Sequence, residues 1–309
     1  MSTTPDRILV TGSSGFVGRH LLPALARSFP SSALVVPHFD LRDPAETDHV
    51  VREADADVCI HLAAVSSVAD ARQDERNAWQ VNLHGSLHLA RAILRHTPGC
   101  SLLFISSSDT YGASFRDGHA VSETVPLAPM NTYAATKAAA DLALGAMAAQ
   151  DGLRLIRVRP FNHTGPGQSA AFVVASFARQ IMLIAAKRQP PLIEVGNLDS
   201  FRDFLDVRDV CAAYIGCIAQ RDTLPSDTII NLASGTPRRI GDILQDMLRA
   251  AGVEVELRTD PARMRAADLA VVRGDSSKAA ALIGWQPVTP WAQTLRDVLD
   301  DWGARVAQP

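Results

Sequence analysis

Short, solidly apolar runs alternate with longer stretches of helical period through the first half of the chain. The apolar runs lie at 7–10, 33–37, 58–62, 102–106 and 153–159, and they include ILV, LVV, VCIHL and LLFIS. Runs this short and unbroken predict strands covered on both faces. The stretches 16–28, 79–96 and 133–150 between them predict helices. Strands alternating with helices predict an α/β fold with a Rossmann-like, doubly wound parallel sheet. The Ala-rich segment 134–149 reads as helix on intrinsic propensity.

The pattern changes after Asn162. The loop HTGPGQ precedes an apolar helix over about 172–187, and Pro190-Pro191 leads into the strand-like LIEVGN. A helix over 207–220, a strand over 228–234 and a helix over 240–251 follow, then the run VEVEL and a last helix near 291–302. This organisation predicts a dinucleotide-binding domain of residues 1–162 plus about 206–234. A smaller α/β substrate-binding lobe takes about 163–205 plus 235–309.

Length and charge narrow the function classes. A chain of 309 residues is one large or two modest domains. Its 30 Lys and Arg against 33 Asp and Glu give a net charge of −3, which argues against a nucleic-acid or anionic-membrane partner. The start MSTTPDRILVTG lacks the pattern of a signal peptide, and no window reaches ~18 unbroken apolar residues. Cys59, Cys100, Cys211 and Cys217 lie in apolar surroundings without a Cys-x-x-Cys pair. They predict buried free thiols in a cytoplasmic protein. His84 and His88 stand four apart but lack a carboxylate motif, so no metal site is expected.

Two constellations carry chemistry. After the first strand comes Thr11-Gly12-Ser13-Ser14-Gly15-Phe16-Val17-Gly18. Gly12 suits a tight turn, Gly15 a close approach to a pyrophosphate, and Gly18 close packing of helix on strand. The helix that opens here offers its free N–H groups and dipole to phosphates. Gly12, Ser14, Gly15, Phe16, Val17 and Gly18 are therefore candidate cofactor-binding residues. The second constellation is Tyr133 and Lys137, at i and i+4 on one helix face, with Ser107 at the end of a strand. A phenol has a reference pKa of about 10. A neighbouring ammonium lowers it, so the expectation is an acidified Tyr133 that exchanges a proton with a carbonyl or alcohol oxygen bonded to Ser107.

The GxxGxxG spacing, the sequence His61-Leu62-Ala63-Ala64, and Ser107 about 26 residues before Tyr133 resemble the extended short-chain dehydrogenase/reductase family. That resemblance implies an NADP(H) or NAD(H) cofactor. It implies catalytic Ser107, Tyr133 and Lys137, and cofactor contacts at Asp40, Leu41, Leu62, Ala63, Ala64, Asn82, Tyr133, Lys137 and Pro160. Asp40 opens Asp40-Leu41-Arg42-Asp43, which matches the family's adenine-side element. The second strand ends at Pro37-His38 without an acid, and Arg19 follows the third glycine. Together these tilt the cofactor toward NADPH or dual use, against the alternative of Arg19 as a solvated helix residue. Asn82 has a second reading as a buried amide that satisfies backbone groups.

RPFNHTGPGQ at 159–168 and VGNLDSFRDFLDVRD at 195–209 resemble the GDP-sugar branch of that family, and within it the reductases of GDP-6-deoxy-4-keto-D-mannose. The resemblance implies NAD(P)H-dependent reduction of the C4 ketone of GDP-4-dehydro-6-deoxy-D-mannose to GDP-D-rhamnose, for polysaccharide biosynthesis. Ser108, Asp109, Asn162, Arg179, Arg202, Arg265 and Asp268 are the candidate substrate-binding residues, the arginines as bidentate forks on a diphosphate. Arg265-Ala-Ala-Asp268 replaces the family's Arg-Pro-Thr/Ser-Glu. The resemblance further implies a homodimer through a four-helix bundle of the helices near 79–96 and 131–150.

The alternatives are a GDP-mannose 4,6-dehydratase, another nucleotide-sugar epimerase, or a non-catalytic dinucleotide sensor. The dehydratase carries Thr-Ser-Glu where this chain has Ser107-Ser108-Asp109. The shorter Asp draws the carboxylate back by roughly 1–1.5 Å, a misplacement that can cost about a hundredfold in rate. The GDP-fucose type of enzyme has a cysteine where Asp109-Thr110-Tyr111 stands. A sensor has no need of the Tyr/Lys pair.

Overall fold

The computed structural model describes residues 4–263 and 269–308. In chain order the first half runs β1 (Arg7–Thr11), α1 (Phe16–Ser28), β2 (Ala33–Val35), α2 (Pro44–Ala54), β3 (Val58–His61), α3 (Val68–Gln73), α4 (Glu75–Trp79), a π-helical turn (Gln80–Gly85), α5 (Ser86–His96), β4 (Ser101–Ile105), a 3₁₀ segment (Ser108–Phe115), α6 (Thr132–Asp151) and β5 (Leu155–Pro160). The second half runs β6 (Asn162–Thr164), α7 (Val173–Ala185), β7 (Leu192–Val195), β8 (Phe201–Asp206), α8 (Val207–Ala219), β9 (Thr228–Leu232), β10 (Pro237–Arg239), α9 (Ile240–Ala251), β11 (Glu256–Thr259), β12 (Val271–Val272), α10 (Ser277–Ile283) and α11 (Trp291–Ala307).

The main sheet has the order β2-β1-β3-β4-β5-β9, and every neighbouring pair is parallel. It is buried on both faces, which is why its strands read as unbroken apolar runs. One core joins Ile8, Val10, Ile60 and Val158 to Leu21 and Leu25 of α1 and to Val210 and Tyr214 of α8. The opposite core joins Leu9, Cys59, Leu102 and Phe104 to α2, α5 and α6. Burying Leu21 and Leu25 completely contributes about 1.5–3 kcal/mol each. The chain leaves β1 for β2 on one side and returns to β3 on the other. The resulting switch point lies at the C-terminal ends of β1 and β3, where open α/β sheets hold their ligands.

The smaller sheet runs β10-β8-β12, with β6 also paired to β8, and β7 pairs β11. Its core packs α7, α9 and α11 around Ile193, Val195 and Phe204. All four cysteines are buried free thiols. Among the described residues, no helix is long and apolar enough to cross a membrane.

Three features depart from the expected elements. The helix expected over 79–96 is broken into the end of α4, the π-helical turn and α5. At the end of that turn a Cβ on Gly85 would stand 2.9 Å from the Leu41 Cβ, so the helix approaches the 40–43 loop too closely for a side chain. Helix α2 was not expected, although Asp43 caps it by accepting from the Ala45 and Glu46 N–H groups and Pro44 opens it. Strands β8 and β10 were likewise unforeseen, since their charged residues disguise them, and so was β12, which is only two residues long.

Candidate active site

The glycine turn stands at the switch point. Gly12 has φ +69°, and a Cβ there would lie 2.6 Å from the Ala63 nitrogen, so the turns after β1 and β3 touch through it. A Cβ on Gly15 would meet only the Gly12 carbonyl, at 3.2 Å, and Ser14 and Gly15 are exposed. Gly15 caps α1 with no side-chain hydrogen bond, leaving the N–H groups of the first turn directed outward. These features fit a dinucleotide diphosphate. Gly18 differs from expectation. Its Cβ would stand 2.2 Å from the Ser13 carbonyl oxygen, so it lets the helix close on its own turn and not on a strand.

The side chains of the flanking candidates are held by the protein. The Phe16 ring stacks on His163 of β6 at 6.2 Å with an 8° angle, and Val17 packs against the α1–α8 core. Leu62, Ala63 and Ala64 are half-buried just past β3, and Pro160 is buried at the end of β5. The Leu41 side chain is core, beside Gly85. Asp40 is ion-paired with Arg42 at 2.7 Å on the surface, and Arg19 is exposed on α1.

Asn82 fills the second of its two readings, which is compatible with the first. Its Oδ1 accepts from Val65 N at 2.8 Å, and its Nδ2 donates to Val65 O at 3.1 Å and to Thr136 Oγ1 at 2.9 Å. Both amide protons are used. It pins the turn after β3 to α6, and the π-helical turn presents it there.

Helix α6 carries the candidate proton-transfer pair. Asn131 caps it, accepting from Ala134 N at 2.9 Å, and Gly152 ends it at φ +76°. Tyr133 and Lys137 project from one face toward Ser107, which follows β4. Tyr133 and Ser107 share a hydrogen bond. Ser107 Oγ also accepts from Asp109 N at 3.1 Å, capping the 3₁₀ segment and setting the serine's rotamer.

The phenol is the one clear correction. Burial and the Asp109 carboxylate push Tyr133 above the ordinary phenol range, and the Ser107 bond pulls back only part of the way. The expected acidification by Lys137 is not what this arrangement produces. Lys137 Nζ donates to the Ile105 carbonyl and lies 4.5 Å from the Phe104 ring centroid, and burial draws its own pKa down to about 8. Tyr133 therefore holds its proton, as a general acid must.

The substrate-side candidates scatter more widely. Ser108 is buried and Asp109 half-buried at the start of the 3₁₀ segment. Asn162 opens β6, paired in register with Phe204 of β8, two residues from Arg202. Arg202 donates from Nη1 to the Phe201 and Leu269 carbonyls, both at 2.8 Å. Arg179 is exposed on α7. Arg265 and Asp268 lie outside the described residues. Several residues that build the site had no place among the candidates: Thr11, Ser86, Tyr111, Asp141 and Asp203. Their partners are distant in sequence, and the one readable signal was Asp141, two helical turns past Tyr133.

Comparison with known proteins agrees with this geometry. GDP-6-deoxy-D-mannose reductase of Pseudomonas aeruginosa is 38% identical over 305 residues, spanning 98% of this chain and 99% of the relative. GDP-6-deoxy-D-talose 4-dehydrogenase of Aggregatibacter actinomycetemcomitans is 29% identical over 282 residues, 90% of this chain and 91% of the relative. The solved structure of RMD from Pseudomonas aeruginosa complexed with NADPH matches with a TM-score of 0.89 at 36% identity, covering 97% of this chain and 99% of that one. The sequence pattern of one family runs through residues 8–233, from β1 with its glycine turn, across the Ser107, Tyr133 and Lys137 cluster, to the last strand of the main sheet. The chain belongs to the NAD dependent epimerase/dehydratase family.

Proposed function

We propose that this protein is an NAD(P)H-dependent reductase that converts the C4 ketone of GDP-4-dehydro-6-deoxy-D-mannose to the alcohol of GDP-D-rhamnose. The observation that carries the reading is the placement of Tyr133, a phenol hydrogen-bonded to Ser107 and one helical turn from Lys137. A phenol so placed can give its proton to a ketone oxygen as a general acid. The relative named GDP-6-deoxy-D-mannose reductase, matched from end to end, supplies the substrate class.

A reduced nicotinamide dinucleotide, when bound, would supply the hydride that C4 receives. Ser107 orients the carbonyl oxygen, Tyr133 gives its proton to the oxygen as the alkoxide forms, and Lys137 holds a positive charge beside the site. The N-terminus of α1 with Gly12, Ser14 and Gly15 holds the cofactor diphosphate, and Asp40 with Leu41 takes the adenine side. Arg202, with Asn162 close by on β6, receives the substrate diphosphate. Arg179 and Arg265 are further forks, with Asp268 on the nucleotide ribose.

Residues 1–162 with about 206–234 form the dinucleotide domain in this reading. In its support, β9 pairs with β5 and α8 packs against α1. A homodimer through α5 and α6 accords with Leu142, which α6 leaves 59% exposed. Four buried free thiols suit a reducing cytoplasm.

The test is incubation with the GDP-keto sugar and NADPH or NADH, followed by cofactor absorbance and product analysis. Cofactor consumption with a rhamnose product supports the reading. A talose product would keep the reductase and correct its stereochemistry. The Asp109 carboxylate bearing on Tyr133 favours one second reading, a 4,6-dehydratase. Loss of water from GDP-mannose without net cofactor use would establish that instead.

A further inference from the structure

Behind the catalytic pair lies a buried charged cluster. Lys137 stands one turn beyond Tyr133 on α6, and Asp141, fully buried, one turn beyond Lys137. Asp141 Oδ1 accepts from Arg157 Nη1 and from Arg159 Nη2, both at 2.8 Å, and its Oδ2 accepts from Arg159 Nε at 3.0 Å. The two arginines are two apart on β5 and so face the same side of the sheet. Arg157 lies against α6 where Gly145 leaves room; a Cβ there would stand 2.8 Å from Arg157 Nη1. Arg157 also donates to the Asp141 carbonyl at 3.0 Å and to Asp227 Oδ2 at 2.7 Å. Arg159 Nη1 donates to the Tyr111 hydroxyl at 3.0 Å, which donates to Asn231 Oδ1 at 2.8 Å. Tyr111 belongs to the 3₁₀ segment that follows Ser107. The cluster thus bonds the helix of Tyr133 and Lys137, the segment behind Ser107, and strands β5 and β9.

Buried ion clusters are a weak source of stability, because apolar side chains of similar volume often do as well or better. What this one adds is direction and charge at a defined place. We propose that Asp141, clamped by Arg157 and Arg159, is a positioning residue for the catalytic pair: it fixes how α6 presents Tyr133 and Lys137 and sets the negative charge that holds Lys137 as an ammonium.

The charged and titratable surroundings of Lys137 are few. From its own helix come Asp141, which pulls its pKa up against burial, and Tyr133. From β3 comes His61, which burial and the Lys137 charge keep neutral. From β4 come only the Ile105 carbonyl and the Phe104 ring. Asp109, in the 3₁₀ segment, bears on Tyr133. On β5, Arg157 and Arg159 pair with the Asp141 carboxylate, and on α4 Glu75 bonds Thr132 at the start of α6.

The chain has three lysines, Lys137, Lys187 and Lys278, so NMR of isotope-labelled lysine side chains reads the Lys137 titration without cofactor or substrate. Asp141→Asn removes the charge. Because it leaves two buried arginines short of a partner, the triple variant Asp141→Asn, Arg157→Met, Arg159→Met is made beside it. In Asp141→Asn the Lys137 midpoint moves to lower pH, cutting the ammonium fraction on the alkaline side about tenfold; the triple variant, which removes two positive charges along with the negative one, reads positioning through kcat alone. Asp141→Glu, which returns the charge, restores it. The kinetic arm rests on the reductase reading: kcat falls about tenfold with KM within about twofold, and the alkaline limb of the profile moves with the NMR midpoint. An Asp141→Asn variant with the wild-type midpoint, or a folded triple variant with the wild-type kcat, shows a merely structural cluster and overturns the proposal. If wild type does not reduce the GDP-keto sugar, the functional reading fails, and an unchanged NMR midpoint still overturns this one.

Discussion

Thr11 Oγ1 and His61 Nδ1 stand 2.7 Å apart, joining the strand that ends in the glycine turn to the strand that ends at residues 62–64. The neighbours fix the protons. Ser86 Oγ donates to the Asn82 carbonyl at 2.7 Å, so it accepts from His61 Nε2 at 3.0 Å. Nδ1 is then the acceptor of the Thr11 hydroxyl, which itself accepts from Ala63 N at 3.3 Å. One directional chain links both cofactor-side turns to the helix of Asn82, and it requires a neutral imidazole.

A pH dependence of stability follows. Burial, aided by the Lys137 charge, lowers the His61 pKa from 6.5 to about 3. Between those values the unfolded chain binds a proton that the folded chain refuses. Stability is therefore complete above pH 6.5 and falls as pH drops toward 3, by up to about 1.4 kcal/mol per pH unit from this group. His61→Asn, which cannot titrate, should show a shallower slope than wild type in urea unfolding across that range. Parallel slopes would mean that His61 is not held neutral.

Tyr133→Phe removes the proton and leaves the ring. The dinucleotide cradle lies on α1 and the turn after β3, so NADPH affinity should stay within about twofold while kcat falls by about 10²–10⁴. Fluorescence titration and steady-state rates read the two effects separately. A variant that still turns over at the wild-type rate would remove Tyr133 from the mechanism.

The parts of this molecule that were legible in the chain are those with short-range signals. The apolar runs of β1, β3, β4 and β5 announce a sheet covered on both faces, and the four-residue spacing of Tyr133 and Lys137 puts them on one helix face in any context. Strand β8 was not legible, because Asp203 and Asp206 look like solvent-facing residues until their partners are known. Their long-range partners, Ser234, Gly235, Gly274 and Thr294, are 31 or more residues away. The direction of the Tyr133 pKa failed for a related reason. Spacing along α6 places the ammonium one turn away, but the Ile105 carbonyl and the depth of burial come from other elements. Helix α2 is the reverse case, since its Asp cap and N-terminal proline were readable signals that the strand pattern overshadowed.

The two crowded glycines should be intolerant in different ways. Gly18→Ala puts a Cβ 2.2 Å from the Ser13 carbonyl oxygen, and Gly12→Ala puts one 2.6 Å from Ala63 N in a left-handed backbone. The backbone strain at Gly12 alone costs about 1–3 kcal/mol. Both should lower Tm and weaken NADPH binding, because the turn must shift to make room. Gly99→Ala, with nothing within 4 Å, is the control and should leave both unchanged. Wild-type affinity in Gly18→Ala would show that the turn relaxes without disturbing the cradle.

Arg202 and Asp203 are adjacent on β8 and point to opposite sides of the strand, so the role proposed for Arg202 can be separated from the support that Asp203 gives. Asp203 is fully buried and accepts four hydrogen bonds: Ser234 N at 2.8 Å, Ser234 Oγ at 2.6 Å, Gly235 N at 2.9 Å and Gly274 N at 3.2 Å. It ties β8 to the loops that follow β9 and β12. Asp203→Ala strands those donors, at about 1–3 kcal/mol for each one left unpaired, so it should lower Tm by several degrees. NADPH affinity of the folded fraction should hold, because the turns after β1 and β3 build the cradle and none of the four Asp203 bonds involves them. Arg202→Lys keeps the charge but loses the planar fork, so KM for the GDP-sugar should rise about tenfold with Tm and NADPH affinity unchanged. The pair is decisive when measured together. A raised KM in Arg202→Lys alone assigns the diphosphate to that guanidinium, whereas an unchanged KM moves it to another of the substrate-lobe arginines.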